Sequence, residues 1–302
     1  MGNRQKGIWC IVASAFGFAL MALCVRLCDD YGGPVSSFQK AFFRNAIAVV
    51  IAFALFMRAM RPADGTARLP QTMRAWSLLL LRALAGGLGI FCNFYALSNI
   101  PIGEAMTLNK TAPFFTVLFA WLFLRERANA RQLLCLVLAF LGALLVMKPG
   151  WRLSGTFASF CGLLGGLGAG IAYTCLRELA RLGVNGSFIV FFFSLFSMLL
   201  AVPLVFLSGG AAPMTCAQTV ILVGAGCGAA IGQFGVTAAY RFAAPRDVAV
   251  FDYTNIVFTA ILGFVFFAQI PDLFSVAGFA LILGSAILQR QASLRQDVLN
   301  HD

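Results

Sequence analysis

Acidic residues and histidine are what this chain has least of: 11 Asp and Glu together and a single His, His301, among 302 residues. Because His301 lies in the polar C-terminal tail, histidine-based metal or proton chemistry within an apolar segment is excluded. Charge of either sign is scarce, at 11% of residues, against 61% hydrophobic residues and a mean hydropathy of +0.89. A soluble chain of this length needs charge over most of its surface, so a soluble fold is excluded as well. The nine cysteines form no CxxC pair and sit mainly in apolar runs. They read as small buried apolar residues, neither a disulfide framework nor a metal site. No cofactor is expected.

What is present is a series of continuous apolar runs. Barrel strands alternate in short segments, whereas these runs continue for about 18–24 residues, the length of a bilayer-spanning helix. Ten spans are predicted near 8–28, 36–57, 75–98, 103–124, 131–148, 156–176, 187–207, 217–240, 247–268 and 273–290. The fold class is therefore all-α polytopic membrane protein. The first run is long enough to remain as a span, so no cleavable signal is expected. The net charge of +11 sits mainly in short loops. Placing the N-terminus in the cytoplasm leaves only Lys148 and Arg152 among the loop cations outside, a strong positive-inside bias. Both termini are then cytoplasmic, in the cytoplasmic (inner) membrane. The basic charge reflects this topology, and no nucleic acid is expected as a partner.

The second half echoes the first. At an offset of 143, Glu104 falls on Asp247, Asn109 on Asp252, Thr111 on Thr254, Phe115 on Phe258 and Thr116 on Thr259. Near 150, Ser37 and Phe38 meet Ser187 and Phe188, and Cys24-Val25-Arg26 resembles Cys175-Leu176-Arg177. Two units are expected, 1–150 and 151–302, the second with a short polar tail. Five spans per unit is an odd number, so the second unit enters the membrane from the opposite side. Inverted repeats around a midplane site are a transporter architecture.

Span four carries the least expected residue. Lys110 stands inside an apolar run, where a charge costs roughly 2.5–3.5 kcal/mol on insertion scales and needs a partner or a wet cavity. It is either a substrate- or proton-coupling group, or a structural ion pair or snorkelling side chain. Asp252 on span nine is its natural partner. Pro113, three residues on, removes a backbone hydrogen bond and is expected to free the Asn109 carbonyl; a tolerated kink is the alternative. Asn93 and Tyr95 on span three, Tyr173 on span six, Gln233 on span eight, and Tyr253 and Asn255 on span nine suit a cavity lining or, equally, helix–helix contacts. Tyr240 reads as an interfacial anchor. Thr111 and Thr254 are suited to bonding back to their own helices. The strips Gly162/Gly166/Gly170 and Gly224/Gly228/Gly232 favour close helix packing over a sliding surface. Arg44 and Arg82 lie nearer the membrane edges; Arg82, about one-third of the way in from the cytoplasmic side, could equally snorkel, pair or attract an anion. Glu126, between Arg125 and Arg127, reads as a loop ion pair or gate contact. Glu104 and Asp247 are placed to favour helix N-termini.

Ala96-Leu97, Ala105, Pro113 and Leu122-Phe123-Leu124-Arg125-Glu126, followed by Gly142, with Arg44 and Arg82, resemble the EamA family of the drug/metabolite transporter superfamily. The resemblance covers nearly the whole chain and is clearest from Arg82 to Pro149. In the second copy, Gln269 stands for Glu126 and Ile256 for Pro113. The resemblance implies ten spans, inverted repeats, a central cavity and transport of small metabolites. A secondary transporter of a small polar metabolite (amino-acid-, nucleoside- or cofactor-like) working by alternating access is the expectation. Its substrate-binding residues would be Lys110, Asp252, Asn109, Tyr253, Asn255, Asn93, Tyr95, Tyr173 and Gln233. The absence of a GxxxxGK[ST] loop argues against ATP-driven transport within the chain. A passive channel remains an alternative, as does a membrane enzyme acting on a lipid-like substrate. No nucleophile, acid/base pair or metal cluster stands out for the latter, and no catalytic residue is assigned. The partners expected are a small-molecule substrate and the lipid bilayer; a homodimer is compatible with the sequence.

Overall fold

The computed structural model describes residues 2–33, 35–60, 69–100, 102–148, 156–207 and 209–299. Much of the basic loop after span two, the link between the two proposed units, and His301 lie outside the described residues. The helices are α1 (Asn3–Asp30), α2 (Ser37–Ala59), α3 (Met73–Asn99), α4 (Ile102–Asn109), α5 (Ala112–Leu124), α6 (Ala130–Met147), α7 (Thr156–Arg181), α8 (Gly186–Leu207), α9 (Cys216–Phe242), α10 (Pro245–Val248), α11 (Thr254–Phe267) and α12 (Leu273–Leu299). A 3-10 helix, Ala249–Tyr253, joins α10 to α11. Together they form ten membrane-length spans, with no strand among the described residues. Span four is α4 plus α5; span nine is α10, the 3-10 helix and α11.

Local chemistry sets where the spans begin. Ser36 and Thr72 accept from the backbone N–H three residues on and so cap α2 and α3. Asn129 with Gln132, and Thr215 with Gln218, form reciprocal capping boxes at α6 and α9. The Gln218 amide also reaches across to the carbonyls of Cys28 and Gly33, 3.1 and 2.9 Å away, and ties the start of α9 to the end of α1.

The spans pack in pairs: α1 along α9, α3 along α7, α2 along α8, and α6 along α12. Glycine permits the closest of these contacts. A Cβ on Gly228 would sit 2.8 Å from the Met21 nitrogen, so α9 meets α1 backbone to backbone. Ile11, Leu79, Leu176, Val236 and Ile282 share one core cluster, which draws on helices from both ends of the chain. Outside it, Phe123, Phe206, Leu207 and Val220 are strongly exposed. In water such a surface would aggregate; in a bilayer it meets lipid. The protein is multi-pass.

Candidate functional site

The site is built where spans four and nine are interrupted. In span four, α4 stops at Asn109 and α5 restarts at Ala112, with Pro113 in its first turn. Proline has no N–H to continue the ladder, and Phe114 N bonds to the Thr111 carbonyl instead. The carbonyl that acquires a side-chain partner is that of Lys110, not Asn109: the Tyr253 hydroxyl donates to it over 2.8 Å. Span nine breaks at the same register without a proline, through the tighter 3-10 winding that ends at Tyr253. Each break is stitched by its threonine. Thr111 Oγ1 donates to the Leu108 carbonyl at 2.5 Å and Thr254 Oγ1 to the Phe251 carbonyl at 2.6 Å.

The breaks bring opposite charges together. Lys110 Nζ lies 3.4 Å from Asp252 Oδ2 and 3.3 Å from Asn255 Oδ1. Asn255 in turn donates from Nδ2 to the Ala15 carbonyl at 2.9 Å, fixing its oxygen toward the lysine. Lys110 and Asp252 are each only 9% exposed. Opposite charges at this depth reduce the cost that either would incur alone.

Above this pair opens a cavity of about 560 Å³, within the size range of small-molecule sites. Lys110, Asp252, Asn109, Asn255, Asn93, Tyr173 and Gln233 all line it. Two of the expected residues do not. Tyr253 is fully buried beneath the floor, where it supports Lys110. Tyr95 is 45% exposed and packs edge-on against Phe157, outside the cavity. It stands two residues from Asn93, which is roughly 200° around a helix, so the two cannot face the same way. Tyr240 corrects another expectation. It is buried at 1% exposure, its ring 5.5 Å from that of Tyr173, and it sits below the cavity rather than at an interface.

Arg44 and Arg82, placed nearer the membrane edges from sequence, both face the cavity. Arg82 stacks 3.9 Å over the Phe193 ring and donates from Nη2 to Gln233 Oε1 at 2.9 Å. Gly86, one turn on, makes room for it, since a Cβ there would lie 2.7 Å from Nη1. Arg26, Asp29, Ser37 and Lys40 line the mouth and were not singled out as ligands. Lys40 Nζ bonds both Asp29 oxygens at 2.6 Å. Polar residues three or four positions apart, Arg26 and Asp29 on α1 and Ser37, Lys40 and Arg44 on α2, were the available signal.

The opposite end is shut by ion pairs. Glu126 accepts from Arg177 Nε at 2.9 Å and from Arg181, rather than from its chain neighbours Arg125 and Arg127. Arg74 pairs with Glu178 at 2.7 Å. Asp247 accepts from Gln132 at 2.9 Å and lies 3.5 Å from Arg4 Nε, while Arg246 donates to the Arg127 carbonyl at 2.8 Å. Every one of these contacts joins the first 150 residues to the rest. At the mouth end, Lys148 bonds Asp272, whose carboxyl is held down to about 2 by that bond and by the bonds from Ser275.

Residues 5–148 match the model of the EamA-like transporter family. Over 283 residues the chain is 31% identical to the pseudopaline exporter CntI of Pseudomonas aeruginosa (strain UCBPP-PA14), covering 94% of this chain and 95% of that one. The chain belongs to the EamA-like transporter family. This EamA-like transporter is also 31% identical to a riboflavin transporter of Brucella anthropi, over 94% of its own length and 98% of that protein. One crystal structure shares the EamA-like fold seen here, with a TM-score of 0.77 at 19% identity over 92% of this chain and 98% of that one. Membership of this family points to transport of small metabolites rather than to an enzyme. No group of His, Cys, Asp and Glu among the described residues could hold a metal.

Proposed function

We propose that this protein is a secondary transporter of the cytoplasmic membrane that moves a small polar metabolite by alternating access. The observation that carries this is one cavity floored by two interrupted spans, open at one end and closed at the other by ion pairs between the chain's two halves. Parting those pairs while closing the mouth would turn the same floor toward the other side.

The halves are read as inverted five-span repeats, 1–150 and 151–302. Helix pairing supports this: exchanging spans one to five with six to ten maps α1–α9 onto α7–α3, and α5–α7 onto α11–α1. Backbone detail supports it too. Arg125 and Ala268, 143 apart, both take left-handed φ values (57° and 51°). Each is followed by an N–H bonded six residues back, Glu126 to Ala120 and Gln269 to Gly263. Thr72 and Thr215 cap equivalent helices at the same offset, as do Asn129 and Asp272. With both termini cytoplasmic, as the loop charges favour, the mouth beside Asp29 faces outward and the Glu126 cluster seals the inside.

In this reading Lys110 and Asp252 form the floor against which the polar metabolite docks, with Asn93, Asn109, Tyr173, Gln233 and Asn255 offering hydrogen bonds. A charged solute competes for one member of the pair and so couples binding to movement of spans four and nine. Relatives named for pseudopaline and for riboflavin indicate a scaffold that accepts dissimilar metabolites. The test is counterflow in proteoliposomes against a metabolite panel. Solute-dependent exchange is expected; folded protein that exchanges no solute contradicts the reading.

A further inference from the structure

The cavity's charges do not balance. Five cations line it, Arg26, Lys40, Arg44, Arg82 and Lys110, against two carboxylates, Asp29 and Asp252. The two carboxylates are already engaged, Asp29 by Lys40 and Asp252 by Lys110. Arg26 lies over the Phe267 ring, 4.1 Å from its centroid, and meets the Gln269 amide oxygen. Arg44 and Arg82 are left without any carboxylate among the described residues. Arg82 is 2% exposed and has only the neutral Gln233 and an aromatic face. Among the described residues Arg44 has one hydrogen-bond contact, with the Met21 sulfur 3.5 Å from Nη1. The Nε of each is buried and unbonded.

An uncompensated guanidinium within a membrane span is expensive, and here two line one cavity. Neither can shed its charge by deprotonation, because arginine stays protonated. What offsets the cost is a counter-charge delivered from outside. The planar fork of N–H donors matches a carboxylate, which it can bind through two parallel hydrogen bonds. The cavity is far larger than an inorganic anion requires, and its walls include Phe18, Met21, Ile90 and Phe193. We propose that the substrate is an organic carboxylate with an apolar or aromatic body, and that Arg44 and Arg82 bind the carboxylate and select for it. This rests on the reading of the cavity as the transport site and adds the charge and shape of its cargo.

The test compares carboxylates with their neutral amides on the purified full-length protein: N-benzoylglycine, N-acetylphenylalanine and glutamate, each beside its amide, with chloride and inorganic phosphate as further probes. Thermal-shift titration reads binding, and proteoliposome counterflow reads exchange. The wild type is expected to prefer at least one aromatic carboxylate over its amide by roughly 10- to 100-fold, the scale of a charge-assisted hydrogen bond. Arg82→Gln and Arg44→Gln should remove that preference, and Arg82→Lys should restore only part of it. Equal binding of acid and amide overturns the proposal, as does an unchanged preference in both glutamine variants, binding of the inorganic anions alone, or no binding by any carboxylate. The wild-type comparison stands even if a variant fails to fold. Exchange confined to neutral or cationic solutes sinks this inference and leaves transport intact; carboxylate binding without exchange does the reverse.

Discussion

Tyr253 and Lys110 occupy equivalent places in the two interrupted spans, and the hydroxyl of the first donates to the carbonyl of the second over 2.8 Å. A carbonyl released by the helix break is thereby satisfied by the other half of the chain, and the two breaks are held together at the cavity floor. Tyr253→Phe leaves that carbonyl buried without a donor, which costs about 1–3 kcal/mol. A lower melting temperature with the cavity's solute preference retained is the expected outcome. An unchanged melting temperature would remove the bond from the account.

Removing one member of the Lys110–Asp252 pair strands the other. Lys110→Met and Asp252→Leu should each lower thermal stability, by less than the about 3–5 kcal/mol of a dry pair because both side chains touch the cavity. The double variant should recover stability, since no charge is left over, but not exchange. Wild-type exchange in the double variant at equal membrane abundance would make the pair scaffold alone.

The two gates are unequal. Glu126 meets Arg177 and Arg181 at the closed end, whereas Gln269, 143 residues on, offers Arg26 a neutral oxygen at 2.7 and 2.9 Å once its amide is turned to satisfy both groups. Glu126→Gln should loosen the closed end and raise backbone hydrogen exchange around Arg177 and Tyr240. Gln269→Glu should instead slow exchange around Arg26 by giving that arginine a charged partner. Identical exchange patterns in both variants and the wild type would contradict the gate assignment.

Gly166 faces the break in span four: a Cβ there would come within 2.7 Å of the Leu108 carbonyl and collide with Thr111 Oγ1. Gly166→Ala is expected to cost roughly 1–3 kcal/mol and to impair exchange, because backbone must shift. Gly284, with open space around its Cβ position, is the control. Gly284→Ala should be neutral or stabilising by up to about 1 kcal/mol. Equal tolerance at both positions would show that the span-six glycines do not shape the break.

Span number and the Lys110 oddity were legible because both are local: length, hydropathy and one charge in an apolar run. So were the threonine back-bonds and the glycine strips, which depend on spacing along one helix. Side-chain direction was less so. Tyr95 and Asn93 shared a span in the sequence, but their angular separation put one outside. Glu126 lies between two arginines in the chain and binds two others contributed by α7, a choice made by packing across the halves. For Arg82 the sequence left snorkelling, pairing and anion attraction open for the same reason: depth along a span was readable, but not that Gly86 and Phe193 would make it a seat in the cavity wall.

Alternating access requires the ion-paired closed end to part during each cycle. In a cysteine-free background, Arg74→Cys with Glu178→Cys can be joined by a short bifunctional thiol reagent, since the native side chains meet at 2.7 Å. Counterflow is then measured before and after linking, together with solute binding. Alternating access predicts that linking stops exchange, that binding from the mouth side persists, and that a reducible linker restores exchange when cleaved. Exchange continuing at the unlinked rate with linking complete would contradict it.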